Sequence, residues 1–384
     1  MKIVHICLCG PFSEGFGYQE NILSKYHKKA GYEVSIITSR WSWSNRGTKE
    51  FVETERYTND DGINVIRLPI LIGTIDNRFK IYKHFYACID EEKPDILFIH
   101  GCQFLNIITI CKYLRKNKIE KVYVDNHVDY FNGAHGILSK LILHKGIWKY
   151  CVHRIEPYVN KFYGVLPARV DFLIDMYKLP KEKCELLLMG ADDDYIDRAK
   201  NIKTMQINRH KYNISKQDFV IVTGGKYGQN RKEIIELVKA ISKINDERIK
   251  LLFFGSFSEE ILEELSPYLD DGIVNIGWLN NVDIYEIFAI ADLVVFNGLH
   301  SVMWEQAVAM GVPCIFKRMK GFEHLDLGGN CIFMDDMSEE FLIKHISKLI
   351  HDEKVYRDMK NVALEQGIKH FSYKKIAIKS LEIM

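Results

Sequence analysis

The chain has 384 residues, 47% hydrophobic and 27% charged, with 52 Lys and Arg against 51 Asp and Glu. That length exceeds what one hydrophobic core usually serves, so two domains are expected, and the balanced charge argues against nucleic acid as the main partner. Nine cysteines with no C-x-x-C pair and no metal-ligand spacing point to reduced thiols in a cytosolic protein, and no apolar run approaches the ~18 residues of a membrane span.

The opening MKIVHICLCGPF carries one lysine and a short apolar run with no small-residue cleavage site after it, so it predicts a first β-strand over 3–9. Further strand-length apolar runs follow at 34–38, 65–68, 96–100, 122–125 and 186–189. A second series comes at 220–224, 250–254, 274–276, 293–296 and 314–316. Helix-period segments lie between many of them, at 19–30, 105–116, 231–244, 283–291 and 301–310. This alternation predicts an α/β protein with two doubly wound, Rossmann-like domains facing a cleft. The break falls where LLLMG meets ADDDY, giving domains 1–190 and 191–365, with a C-terminal helical segment 366–384 that packs back on the first domain. Residues 1–190 carry about six more basic than acidic residues, so the first domain is the basic one.

Ligands of such folds sit at the carboxyl ends of the strands, so the turns there are read for chemistry. The first, CGPFSEGFGYQEN, has Gly10, Gly15 and Gly17 but neither the G-K-[ST] of a P-loop nor G-x-G-x-x-G. Gly15 and Gly17 either bring backbone N–H groups to an anion or simply make a tight turn. In GGKYGQNRKEIIELVKA, Gly224 and Gly225 predict a sharp turn, and Lys226, Arg231 and Lys232 gather near a helix start. Cations are unfavourable at that end of the dipole unless an anion compensates, and a diphosphate is the ligand that fits; a solvated basic turn is the alternative.

The segment SVMWEQAVAMG places Glu305 in the first helical turn, with Ser301 as N-cap. Glu305 is then either a helix-end carboxylate or a ligand group. Val302, Val308 and Ala309 share its face, so the carboxylate is expected to be partly buried and to need donors, which ribose hydroxyls would supply. The acids of ADDDY are read as a helix cap, and DNHVD as too sparse for a cation site. The stretch 137–154 holds Lys140, Lys145, Lys149 and Arg154 with no acids, and reads either as a basic amphipathic surface for an anionic membrane or as ordinary helix packing.

The run LLFFGSF, then VNIGWLNNVDIYEIFAIADLVVFN, then SVMWEQAVAMGVPCI resembles the donor-nucleotide domain of family-four glycosyltransferases, whose fold is GT-B. GYQENILSKYHKKAGYEVSIIT, PARVDFLIDMYKLPKEKCELLLMGAD and HFSYKKIA extend the resemblance over nearly the whole chain. It implies that Glu305 holds the nucleotide ribose and that Lys226 and Lys232, with Arg231 close by, hold the donor diphosphate. With seven residues between it and the one matched by Glu305, the family has a first glutamate. This chain has Asn297, followed by GLHS in place of a Gly-Phe-Gly-like turn, so Asn297, His300, Ser301 and Val302 are carried as donor-site residues that contact sugar or phosphate.

Across the cleft, the resemblance makes His127, at the end of a strand, a candidate to face the transferred sugar; a structural histidine is the alternative. Asp125 and Asp129 would orient it, accept the acceptor's proton or cap a turn, and His100 is a weaker candidate. The expectation is a retaining, cytoplasmic glycosyltransferase of polysaccharide synthesis, peripheral at the inner membrane face, with no cofactor and no essential metal. Its partners would be a UDP- or GDP-linked sugar and a glycan or lipid-linked acceptor. A nucleotide-sugar epimerase of the same fold, or a non-catalytic nucleotide-binding subunit, are the rival readings.

Overall fold

In chain order the strands of the first unit are β1 (Lys2–Cys7), β2 (Glu33–Ser39), β3 (Trp41–Trp43), β4 (Lys49–Phe51), β5 (Arg56–Thr58), β6 (Asn64–Leu68), β7 (Ile70–Ile72), β8 (Ile81–Tyr82), β9 (Ile96–His100), β10 (Lys121–Asn126), β11 (Lys161–Gly164) and β12 (Cys184–Leu186). The computed structural model describes residues 1–44, 48–130, 133, 139–228 and 232–382; Arg231 lies outside the described residues. Eight of these strands make one sheet in the order β12-β11-β10-β9-β1-β2-β6-β5, parallel except for the edge pair β5–β6. Ile3, Val4 and Ile6 of β1 are wholly buried, as expected of a central strand covered on both faces, where apolar runs are continuous and not alternating. The order reverses between β1 and β9, which puts the switch point beside the ends of those strands.

The second sheet contains β13 (Phe219–Tyr227), β14 (Ile249–Phe257), β15 (Ile273–Asn275), β16 (Leu293–Phe296), β17 (Cys314–Lys317) and β18 (Cys331–Met334), ordered β15-β14-β13-β16-β17-β18 and parallel throughout. Its switch point lies between β13 and β16. The chain divides into one unit of Met1–Met189 with Tyr373–Met384 and another of Gly190–Ser372.

The short antiparallel strands β3, β4, β5, β7 and β8 were not anticipated, and among the parallel strands of the two main sheets neither were β11 and β18. KFYG has too few apolar residues to stand out, and CIFM is only four residues long. Conversely, the strand expected at 186–189 is paired only over Cys184–Leu186. Leu187 and Met189 are buried nonetheless, Leu187 with its N–H still donating to the Gly164 carbonyl, so the apolar run reports burial beyond the paired strand.

The helix Glu353–Phe371 belongs to the second unit, and only the helix Tyr373–Ser380 joins the first. The boundary read at 365/366 therefore falls inside a continuous helix. Gly367 explains how that helix seats: a Cβ there would stand 2.0 Å from the Val308 carbonyl oxygen, so only glycine allows it this close to the helix Met303–Ala309. The Tyr373–Ser380 helix covers one face of the first sheet, where Tyr373, Ile376, Ala377 and Leu381 pack with Ile3, Ile22, Phe98, Tyr123 and Tyr163. Each large apolar side chain buried in this way contributes about 1.5–3 kcal/mol.

Candidate functional site

In the first unit the parallel register sets Asp125 of β10 opposite His100, the last residue of β9. The ring Nδ1–H of His100 donates to Asp125 Oδ2 at 2.6 Å, and the Gly101 backbone N–H donates to Oδ1 at 3.0 Å. His127 Nε2 stands 3.2 Å from the same Oδ1. Burial works against charge on Asp125, but the His100 and His127 rings outweigh it and hold the carboxyl well below the usual carboxylate range. For His100 burial likewise opposes the charge, and Asp125 raises its pKa above the ordinary 6.5.

Asn126 shapes the exit from the strand. Its side chain donates to Val128 O at 2.8 Å and accepts from Gln103 at 2.9 Å, which holds the turn that carries His127. Sequence reasoning grouped His127, Asp125 and Asp129; the structure brings the first two together with His100 and pairs Asp129 with Arg169 at 3.2 Å. His100, Asp125 and His127 each offer a donor atom within 4.8 Å of the others, a spacing a cation would accept, but the Asp125 oxygens already receive the N–H groups just described. Gly15 adopts φ +78°, which explains the glycine there, whereas Gly17 is not among the residues with positive φ.

In the second unit β13 continues through Gly224 and Gly225 to Tyr227, so the sharp turn expected at the two glycines is corrected. The pairing persists because Gly255, at φ +130°, lets β14 approach: a Cβ there would lie 1.8 Å from the Gly225 carbonyl oxygen. Gly224 makes room for the Phe254 ring. Lys226 is thus an exposed residue on a strand, and Lys232 forms an exposed, solvent-screened pair with Glu260 at 2.5 Å that is readily exchanged for another anion.

Asn297, just past β16, is buried. Its amide N–H donates to the Glu233 carbonyl, tying the strand end to the start of the helix Glu233–Lys243, while its Oδ1 has no hydrogen-bond partner among the described residues. Thr223 Oγ1, on β13 at the same switch point, is also buried without one.

Ser301 is not the N-cap. Val302 occupies that position with helical backbone angles, and the first turn is closed by the Ser301 and Val302 carbonyls instead. Glu305 is fully buried, and its donors come from the protein itself. His300 Nε2–H straddles the carboxylate at 2.9 and 3.0 Å, and His324 Nε2–H donates to Oε1 at 3.1 Å. Burial opposes the charge, but the two histidines dominate and bring the pKa down to about 2. The His300 ring lies against Phe322, with centroids 4.6 Å apart. Sequence reasoning missed His324, which is 19 residues from Glu305 with no periodic relation to it.

Residues 218–352 match the family model described as Glycosyl transferases group 1. The second unit carries a glycosyltransferase domain. Solved structures agree in fold. A glycosyltransferase from Rickettsia africae is similar at 16% identity, with 100% of this chain and 97% of that one covered and a TM-score of 0.70. HepE of Anabaena in complex with UDP is similar at 13% identity, 100% and 99% coverage and a TM-score of 0.71. UDP-GlcNAc 2-epimerase from Neisseria meningitidis, bound to UDP-GlcNAc, is similar at 12% identity, 100% and 100% coverage and a TM-score of 0.64. No sequence among the curated proteins matches the chain. The two-unit α/β architecture is that of the GT-B fold, and its second unit contains the segment that matches the Glycosyl transferases group 1 model.

Proposed function

We propose that this glycosyltransferase moves a sugar from a UDP-linked donor, or a GDP-linked one, to a hydroxyl of a glycan or lipid-linked acceptor, with retention at the anomeric carbon. The observation that carries the reading is Glu305, a buried and ionised carboxylate inside the matched segment, at the start of the helix Met303–Ala309. A carboxylate offers about four acceptor sites, and the two histidines use three contacts, so capacity remains for a ribose hydroxyl. The fold likeness to HepE with UDP favours uracil as the base.

In this reading Lys226, Arg231 and Lys232 and the helix end at His300, Ser301 and Val302 neutralise the departing diphosphate, with no cofactor and no essential metal. Asn297 contacts the sugar or its phosphate, and Gly15 and Gly17 approach the donor. The transition state is oxocarbenium-like, so stabilising the leaving group is the protein's main task. His127 faces the reacting carbon, with Asp125 holding it in orientation.

Calorimetry with UDP, GDP, ADP and CMP tests the donor site. One diphosphate is expected to bind in the micromolar range, and Asn297→Glu is expected to weaken it at least tenfold, because the new carboxylate would face the Glu233 carbonyl where Asn297 now donates. Failure of all four ligands to bind would overturn the reading; transfer appearing only in Asn297→Glu would establish the non-catalytic alternative. The likeness to the epimerase bound to UDP-GlcNAc favours a second reading, which proton NMR of UDP-GlcNAc incubated with the protein and no acceptor would reveal by epimerised product.

We also propose peripheral contact with the inner face of the cell membrane. Among the described residues no helix is long and apolar enough to cross a membrane. The stretch read as amphipathic is a wide π-type helix, Ser139–Trp148, running into the helix Lys149–Ile155. It buries Trp148, Cys151, Val152 and Ile155 and leaves Leu141, Ile142 and Tyr150 more than half exposed, with Lys145 and Arg154 exposed on the same segment. Flotation with phosphatidylglycerol vesicles is expected to carry the protein up, and Leu141→Asp with Ile142→Asp to abolish this; equal flotation of wild type and variant would remove the proposal.

A further inference from the structure

Behind the His100–Asp125 pair the first unit contains an unbroken line of imidazoles. His100 Nε2 meets His5 Nδ1 at 2.9 Å, His5 Nε2 meets His27 Nδ1 at 3.0 Å, and His27 Nε2 meets Ser380 Oγ at 2.8 Å and the Ala377 carbonyl at 3.3 Å. All three histidines, Asp125 and Ser380 are buried. The line crosses from the candidate site, through β9 and β1 and the helix Gln19–Lys29, to the helix Tyr373–Ser380.

A proton count decides its charge. Each link needs one hydrogen, and there are four: Asp125 to His100, His100 to His5, His5 to His27, and His27 to the last helix. Three neutral imidazoles supply three N–H groups. The fourth hydrogen would have to be the Ser380 hydroxyl's, but that hydroxyl donates to the Ala377 carbonyl at 2.8 Å. The Ala377 carbonyl beside His27 Nε2 can only accept, so Nε2 carries a hydrogen. The far end of the line is therefore an acceptor, as the Asp125 end is, and the three rings must share four N–H groups.

We propose that this chain stores one proton beyond three neutral imidazoles, lodged on His100 as an imidazolium paired with Asp125, and that His100, His5 and His27 are positioning residues that keep Asp125 anionic and aimed at His127. Only the catalytic consequence rests on the proposed transferase reading; the proton count stands without it.

The surrounding groups agree. Asp125 and Glu20 supply the negative charge acting on His100, and His127 is the other ring beside Asp125. Burial and the neighbouring rings push His5 far below its ordinary pKa, and burial brings His27 down to about 3, so both stay neutral. The tyrosines and thiol packed around the line, Tyr123, Tyr163 and Cys7, are pushed up by burial and carry no charge near neutrality. Because the folded pKa of His100 is raised, its contribution to stability is complete below pH 6.5 and is lost as the pH climbs through the raised value.

The test is long-range 15N–1H spectroscopy of the full chain labelled at histidine nitrogen, from pH 6 to 9. One imidazole protonated on both nitrogens is expected at pH 7.5, absent from His100→Gln. His27→Phe removes the last two links, so two neutral rings suffice, and the titration of that imidazolium is expected to fall by at least one pH unit, a tenfold loss of proton affinity. His27→Gln keeps an acceptor for His5 and a donor toward Ala377, and is expected to retain the stored proton. Finding every ring neutral in the wild type at pH 7.5 would overturn the proposal even if no variant folded, as would identical titrations in the two His27 variants. Nucleotide binding is not needed for the readout, so failure here is distinct from failure of the donor site.

Discussion

Replacing Asp125 with alanine is expected to destabilise the first unit by about 3–5 kcal/mol, the typical cost of removing one member of a buried ion pair and leaving its partner uncompensated. The side chain is completely buried and accepts from His100 Nδ1–H and Gly101 N–H, with His127 beside it; its loss leaves the buried His100 Nδ1–H without an acceptor and removes the charge that faces both rings, while Gly101 N–H keeps the backbone carbonyl of residue 125. Urea unfolding at pH 7 measures the effect; a change under 1 kcal/mol would mean that the cluster relaxes to water at little cost. The acid dependence carries a second signature. Because Asp125 has a depressed pKa, its contribution is present above the ordinary carboxylate pKa of about 3.9 and is lost as the pH falls toward the folded value. Asp125→Asn keeps the shape and one acceptor, so it should lose less stability than alanine while flattening that acid limb.

Glu305→Ala is the other large effect, and it falls on the second unit. The shift from an ordinary 4.5 to about 2 corresponds to about 3 kcal/mol, at 1.36 kcal/mol per pH unit, present above pH 4.5 and lost as the pH falls through about 2. The variant is therefore expected to lose about 3 kcal/mol at pH 7 and very little at pH 2, in the unfolding transition that belongs to the second unit. Nucleotide binding should fall with it. His300 is held by Glu305 on one side and packed on Phe322 and Trp304 on the other, so removing the carboxylate frees the ring that shapes the helix entry. Stability unchanged at pH 7 would show that water replaces the carboxylate without cost. Stability lost with binding intact would return Glu305 to a purely structural role.

The two residues differ in how much of them could be read from the chain. Glu305 was located by its place in a short apolar helix and by the resemblance around it. Its donors were not, because His324 arrives from beyond β17 and no local period relates the two. Likewise Asp125 and His127 are neighbours in sequence, but His100 joins them only through the β9–β10 register, and His5 and His27 only through β1 and the packed helix. A histidine inside the apolar run IVHIC looks like an interruption of a strand; the structure makes it one member of a buried chain.

Errors at the glycines have a similar origin. Gly224 and Gly225 signal unusual backbone, and a turn is the usual reading, but the steric need came from Phe254 and Gly255 on the neighbouring strand. The Ser301 cap failed because capping depends on backbone angles at the next residues, where Val302 is already helical. Lys232 drew attention as a cation at a helix start, and its exposed partner Glu260 lies on a helix 28 residues further on.

What the amino-acid order determined by itself was local and periodic: two series of buried parallel strands with helices between them, the change of series near residue 190, and the short loops that end those strands. Those features follow from apolar periodicity and from turn residues, which act over a few positions. Charge states, hydrogen-bond partners and the proton held among three histidines were decided by tertiary structure, because burial and electrostatic pairing depend on which side chains strand register and helix packing bring within about 3 Å.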